Sequence, residues 1–253
     1  MITCKPLVTA HTGCENTPDN TVASIMRGIT SGADIVEIDV RSTADGHPIL
    51  MHDECLQIGS HGPVPVSRIA LEDLFALQER GKITFSRPSM EITVFEDALD
   101  LAKESGIILN IDLKDSATVN ALIRRIITRN MEDYTVISGC DRERATLVKQ
   151  EYPAVQVLLN VEDNPAHAPD YHSFVQRACN TARQAGCCGI NIDFHHCRRE
   201  LVEYARLRYL PVSVWTVDQE KEMSAMIDLG VHSITTYEPG KLLKLMSSGV
   251  SGR

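Results

Sequence analysis

The stretch Ile35-Val36-Glu37-Ile38-Asp39 decides how the chain is read. Apolar side chains occupy alternate and adjacent positions of the run, as in a strand covered on both faces. Two acids close it, spaced two apart, so both project to one face of a strand. Similar runs recur along the chain at Leu7–His11, Ile107–Asp112, Thr135–Ser138, Val155–Asn160, Gly189–Ile192, Val212–Trp215 and Ser233–Thr236. Helical patterns lie between them: Asn20–Thr30, Val94–Glu104, Ala117–Thr128, Arg142–Glu151, Tyr171–Gln184, Arg198–Arg208, Gln219–Leu229 and Gly240–Met246. Gly32, Gly106, Gly186 and Gly230 follow four of these helices at the stop position. Eight strand–helix repeats in 253 residues predict an α/β protein, a single (β/α)8 barrel spanning residues 1–253 as one domain. A doubly wound open sheet would carry a glycine-rich loop after its first strand, and His11-Thr12-Gly13-Cys14 is not one.

One stretch interrupts the alternation. Asp45-Gly46 is a hairpin turn between Val40-Arg41-Ser42 and Pro48-Ile49-Leu50. Folding about it predicts an extra hairpin over about 40–53, which places residue 39 near residue 52 and returns His52 towards Glu37 and Asp39. Residues of about 54–93 read as an irregular excursion at the catalytic face, with a short helix near Leu71–Gln78.

Composition narrows the function classes. The net charge is −9 and aromatic residues make up 5%, with one tryptophan, which argues against nucleic-acid binding. The longest apolar runs fall far short of a membrane span, so no stable membrane insertion is expected. The eight cysteines show no CxxC pair and read as reduced thiols, as in the cytoplasm. Lys5-Pro6 leads straight into Leu7-Val8-Thr9-Ala10, too short for the apolar core of a secretory signal.

In a barrel, reactive groups collect at the C-terminal ends of strands. Those ends carry His11, Glu37, Asp39, Asp112 and Trp215, with Lys114 two residues beyond Asp112. Three carboxylates without a thiolate or paired-imidazole element suit one hard divalent cation, Mg2+ or Ca2+, unless they cap helices or pair with Arg41 and Lys114. Two histidines beside them, His11 and His52, suit general acid–base chemistry on a phosphoester. Trp215 reads as an apolar wall for an alcohol group or as core packing.

These residues carry a resemblance. His11-Thr12-Gly13, with Pro18-Asp19-Asn20-Thr21, resembles the opening motif of the glycerophosphodiester phosphodiesterases. Glu37-Ile38-Asp39-Val40, Ala44-Asp45-Gly46 and Met51-His52-Asp53 resemble its second block, and Asn110-Ile111-Asp112-Leu113-Lys114 its third. Val214-Trp215-Thr216-Val217-Asp218 and Thr235-Thr236-Tyr237-Glu238-Pro239 resemble the closing block. The resemblance implies a TIM barrel that cleaves a small-molecule glycerophosphodiester to sn-glycerol 3-phosphate and an alcohol. It assigns His11 and His52 as the acid–base pair, Glu37, Asp39 and Asp112 as metal ligands, and Lys114 to the phosphate. Three departures stand out. Thr12 replaces the usual arginine, with Arg41 or Lys114 expected to compensate; Asp112 replaces glutamate; Tyr237 replaces aspartate. Thr12 leaves open a barrel that binds phosphodiesters or a partner without turnover. Lysophospholipids or cyclic phosphodiesters are alternative substrates.

Overall fold

Eight parallel strands close on themselves in the computed structural model, which describes residues 5–85 and 89–248. The barrel strands are β1 (Leu7–Ala10), β2 (Ile35–Ser42), β3 (Ile108–Leu113) and β4 (Thr135–Cys140). They continue as β5 (Gln156–Val161), β6 (Gly189–Asp193), β7 (Val212–Trp215) and β8 (Ser233–Thr236). Closure follows from β1, which pairs with β8 on one side, Leu7 opposite Ser233, and with β2 on the other, Thr9 opposite Ile35. A closed sheet has no exposed edge.

The helices pack their apolar stripes onto the outside of the barrel. In Val119–Thr128 the buried residues Val119, Leu122, Ile123 and Ile126 follow the three-and-four spacing of one helix face. Asp141 and Asp170 cap their helices by accepting from the backbone N–H of Arg144 and Ser173. Gly106 ends Phe95–Ser105 with a left-handed backbone, φ 74°, a conformation that costs any residue with a Cβ. The first helix starts at Val22, two residues later than the apolar pattern suggests. Asn20 has φ 56° and cannot be helical, and Thr21 is the cap, its side chain accepting from Ser24 N.

The hairpin forms, one residue out of the expected register. Val40 faces Leu50, Arg41 faces Ile49 and Ser42 faces Pro48, which sets Met51, not His52, against Asp39. Met51 N donates to Asp39 O at 3.0 Å. The turn explains the shift: Thr43 N donates to His47 O and Gly46 N to Thr43 O, so the loop is held from both ends around Asp45-Gly46. His52 therefore leaves the ladder and comes to the rim of the barrel.

The excursion is more regular than its sequence suggests. Cys55–Ile58 lies between Pro63–Pro65 and Ile83–Thr84 in an antiparallel sheet, with the helix Leu71–Glu79 joining the last two strands along the chain. It has its own apolar cluster of Leu56, Ile58, Val66, Ile69, Leu74 and Ile92, joined by Ile49 and Met51 of the hairpin. Strands of two to four residues are too short to show a period, which is why they were illegible.

Candidate active site

A cavity of about 730 Å³ opens at the C-terminal ends of the strands. His11, Glu37, Asp39, His52, Asp112, Lys114 and Trp215 all line it. Arg41 does not appear among its described lining residues. Its Nε donates to the backbone oxygen of His52 at 2.9 Å, so it braces the segment that carries His52.

Glu37, Asp39 and Asp112 each bring a carboxylate oxygen to within 4.8 Å of the other two. The register fixes this: Asp39 faces Asp112 across β2 and β3, and Glu37 lies one layer deeper, opposite Asn110. Glu37 and Asp39 retain 5% and 3% exposure, so their charges are removed from water, a cost that must be offset by partners. Asp39 receives Lys114 Nζ on Oδ1 and Asn20 Nδ2 on Oδ2, both at 2.8 Å. The same ammonium reaches Asp112 Oδ2 at 2.8 Å. Burial opposes the lysine's charge, but Asp39 and Asp112 outweigh it and hold the ammonium well above its usual range.

Glu37 is less well served. Its Oε2 accepts Thr12 N at 3.0 Å and lies 3.4 Å from His11 Nδ1. Burial pushes its carboxyl up, and Asp39 and Asp112 push the same way, against the pull of His11. One lysine among three acids leaves negative charge unbalanced. A cluster of this composition, all oxygen donors, fits a divalent cation on Glu37, Asp39 and Asp112.

His11 is held in one orientation. Its Nδ1 lies 2.8 Å from Thr12 O. A carbonyl only accepts, so Nδ1 carries the proton and Nε2 is the reactive nitrogen. Tyr237 packs on the ring at 4.3 Å between centroids. Burial lowers the affinity of His11 for a proton, but Glu37, the Thr12 carbonyl, Asp39 and Asp19 together reverse that and raise its pKa. His52 is different: its side chain is 66% exposed, and Nδ1 lies 3.1 Å from Asp53 Oδ1. Thr12 is buried, and its Oγ1 accepts Asn20 N at 2.6 Å. Trp215 Nε1 is buried without a hydrogen-bond partner among the described residues.

Asn20 escaped the sequence reading as a site residue. It grips Asp39 twice, since Nδ2 donates to the carboxylate and Oδ1 accepts Asp39 N at 2.9 Å. The signal was its place in the Pro18-Asp19-Asn20-Thr21 segment, which carried part of the family resemblance but gave Asn20 no role. Asn160, Asn191 and Arg144 also line the cavity, and nothing in their sequence spacing marked them.

Fold and site together define a closed parallel barrel with, at its mouth, an acid cluster suited to a divalent cation. Comparison with known proteins gives the family. The family model described as "Glycerophosphoryl diester phosphodiesterase family" matches residues 11–241. The glycerophosphodiester phosphodiesterase of Caldanaerobacter subterraneus subsp. tengcongensis is 27% identical over 251 residues, covering 97% of this chain and 99% of its own length. A solved glycerophosphodiester phosphodiesterase from Parabacteroides distasonis superposes with a TM-score of 0.80 at 21% identity, covering 97% of this chain and 98% of that one. An Oleispira antarctica phosphodiesterase, solved in complex with the product sn-glycerol-3-phosphate, superposes with a TM-score of 0.76 at 21% identity, covering 96% and 97%. The chain belongs to the glycerophosphoryl diester phosphodiesterase family and is a phosphoric diester hydrolase. Among the described residues no helix is long and apolar enough to cross a membrane, and the seven described cysteines are free. Cys4 lies outside the described residues.

Proposed function

We propose that the protein hydrolyses glycerophosphodiesters to sn-glycerol 3-phosphate and an alcohol. One observation carries the reading: both histidines and the three clustered acids line a single cavity at the mouth of a barrel of this family. Glu37, Asp39 and Asp112 would hold one Mg2+ or Ca2+, which supplies positive charge to the phosphoryl oxygens. The product seen in the Oleispira antarctica phosphodiesterase supports the same substrate class here.

The residues divide the work as follows. His11 Nε2 takes the proton of the glycerol 2-hydroxyl as that oxygen attacks phosphorus. The bond from phosphorus to the alcohol oxygen breaks, and His52 delivers a proton to the departing oxygen. Water then opens the cyclic glycerol phosphate, with the histidines in reversed roles. Tyr237 and the Thr12 carbonyl keep the His11 ring from turning. Exposure at the rim lets His52 reload from solvent. Lys114 adds a second positive charge beside the phosphoryl site, and the Trp215 ring lines the cavity as an apolar wall for the alcohol group. Arg41 acts through His52. The place of the motif arginine is taken by Thr12, whose short uncharged hydroxyl accepts Asn20 N and can supply no positive charge, so phosphate charge is met by Lys114 and the cation.

The test is release of glycerol 3-phosphate from glycerophosphocholine with Mg2+ or Ca2+ added. Chelation should abolish release, and His11→Ala and His52→Ala should each lower kcat by about 100-fold or more. Full activity in both variants contradicts the assigned roles. Metal-dependent binding with no product in a single turnover would make the protein a binder instead.

A further inference from the structure

Gly139 follows Ser138, the residue that faces Asp112 across β3 and β4. The ladder is irregular here: Val157 of β5 faces Ile137, yet Leu159 faces Cys140, so β4 carries one extra residue. A bulge of this kind re-aims the chain. Gly139 takes up the left-handed conformation it requires, φ 68°. Its bare Cα leaves a notch that Asp112 fills. A Cβ there would overlap Asp112 Oδ1 and come within 2.8 Å of both the nitrogen and the oxygen of Leu113.

The notch is tied down on both sides. Gly139 N donates to Asn160 Oδ1 at 3.0 Å, and that oxygen also accepts Asn191 Nδ2 at 3.1 Å. Gly139 O accepts Arg144 Nη1 at 2.5 Å, and the same nitrogen donates to Leu113 O at 2.6 Å. Arg144 Nε reaches Ser116 Oγ at 3.3 Å. One guanidinium thus joins the ends of β3 and β4 on either side of Asp112. With Oδ2 on Lys114 and Oδ1 seated over Gly139, both oxygens of Asp112 have fixed positions.

The geometry points to Gly139 and Arg144 as positioning residues for Asp112, setting where this carboxylate stands in the ion site. The inference rests on that ion site, proposed above. Groups that orient a metal ligand typically change metal affinity by about 10- to 100-fold when altered.

The experiment is calorimetric titration of the full chain with Mn2+, with folding checked by circular dichroism. Gly139→Ala and Arg144→Met should each weaken binding by about 10-fold or more, and Arg144→Lys by less than Arg144→Met. Both effects should vanish in an Asp112→Asn background, because they act through Asp112. If Gly139→Ala does not fold, Arg144→Met, which lies in a surface helix, decides. Affinities within about twofold of wild type, or equal losses with and without Asp112, overturn the inference. An Asp112→Asn protein that binds Mn2+ as tightly as wild type overturns the ion site and the positioning roles of Gly139 and Arg144 together.

Discussion

The two walls of the cavity differ in kind. On β1–β3 stand His11, Glu37, Asp39, Asp112 and Lys114, a dense set of charges. On β4–β6 themselves stand Ser138, Gly139, Asn160 and Asn191, which are polar and uncharged, with Arg144 and Glu162 reaching the cavity from beyond the strand ends. The charged wall is under-neutralised, while the neutral wall is joined by hydrogen bonds of its own, Asn191 to Asn160 to Gly139. Charge that lacks a partner is where a protein holds an ion or does chemistry. A satisfied amide network is where it holds shape.

That contrast predicts the ranking of substitutions. Glu37→Gln on the charged wall should lower kcat by about 100-fold or more, since it removes the charge of a proposed ion ligand without changing volume. Asn191→Leu on the neutral wall should leave kcat within about 10-fold and cost about 1–3 kcal/mol of stability, the penalty for stripping a partner from a buried amide. Steady-state kinetics and denaturant titration of the two variants measure both. Comparable losses of kcat would erase the distinction between the walls.

A smaller effect concerns pH in the absence of divalent cations. The folded carboxyl of Glu37 lies above its ordinary range, so folding favours the protonated form. Its contribution is intact below about pH 4.3 and is lost as pH rises through the folded value. The folded pKa of His11 is also raised. Its contribution is intact below about pH 6.5 and is lost as pH rises through the folded value. Both act in the same sense, so the cation-free protein should melt at a lower temperature at pH 8 than at pH 5. Glu37→Gln should flatten that slope, and added Mg2+ should restore most at the alkaline end. Asp45 works in another window, because its carboxyl is pulled down to about 2 by the Thr43 hydroxyl and Leu71 N. Thermal melts across this range with chelator present, flat or rising with pH, would contradict the account of Glu37.

The barrel was legible because each strand is a short run rich in apolar residues, and Arg142–Glu151 and Tyr171–Gln184 fall where their patterns place them. The charged wall was legible because its acids punctuate the apolar runs: Glu37 and Asp39 lie within β2, which continues past the expected end to Ser42, and Asp112 sits one residue before the end of β3, opposite Asp39. The neutral wall was not. Gly139 matters because of a bulge, and Asn160 because of a cross-strand contact; neither leaves a trace in spacing. The hairpin register slipped by one because turn geometry depends on the Thr43–His47 bond, which composition does not specify. Arg41 shares the parity of Glu37 and Asp39, yet the hairpin carries it away to His52.

Anomalous diffraction from crystals soaked in Mn2+ tests the central claim most directly. The account predicts one strong peak bonded to Glu37, Asp39 and Asp112 within about 2.0–2.6 Å, the span of hard-cation bonds to oxygen, with Lys114 displaced from at least one of its two acids. A peak elsewhere, or none while Lys114 still joins Asp39 to Asp112, would contradict it.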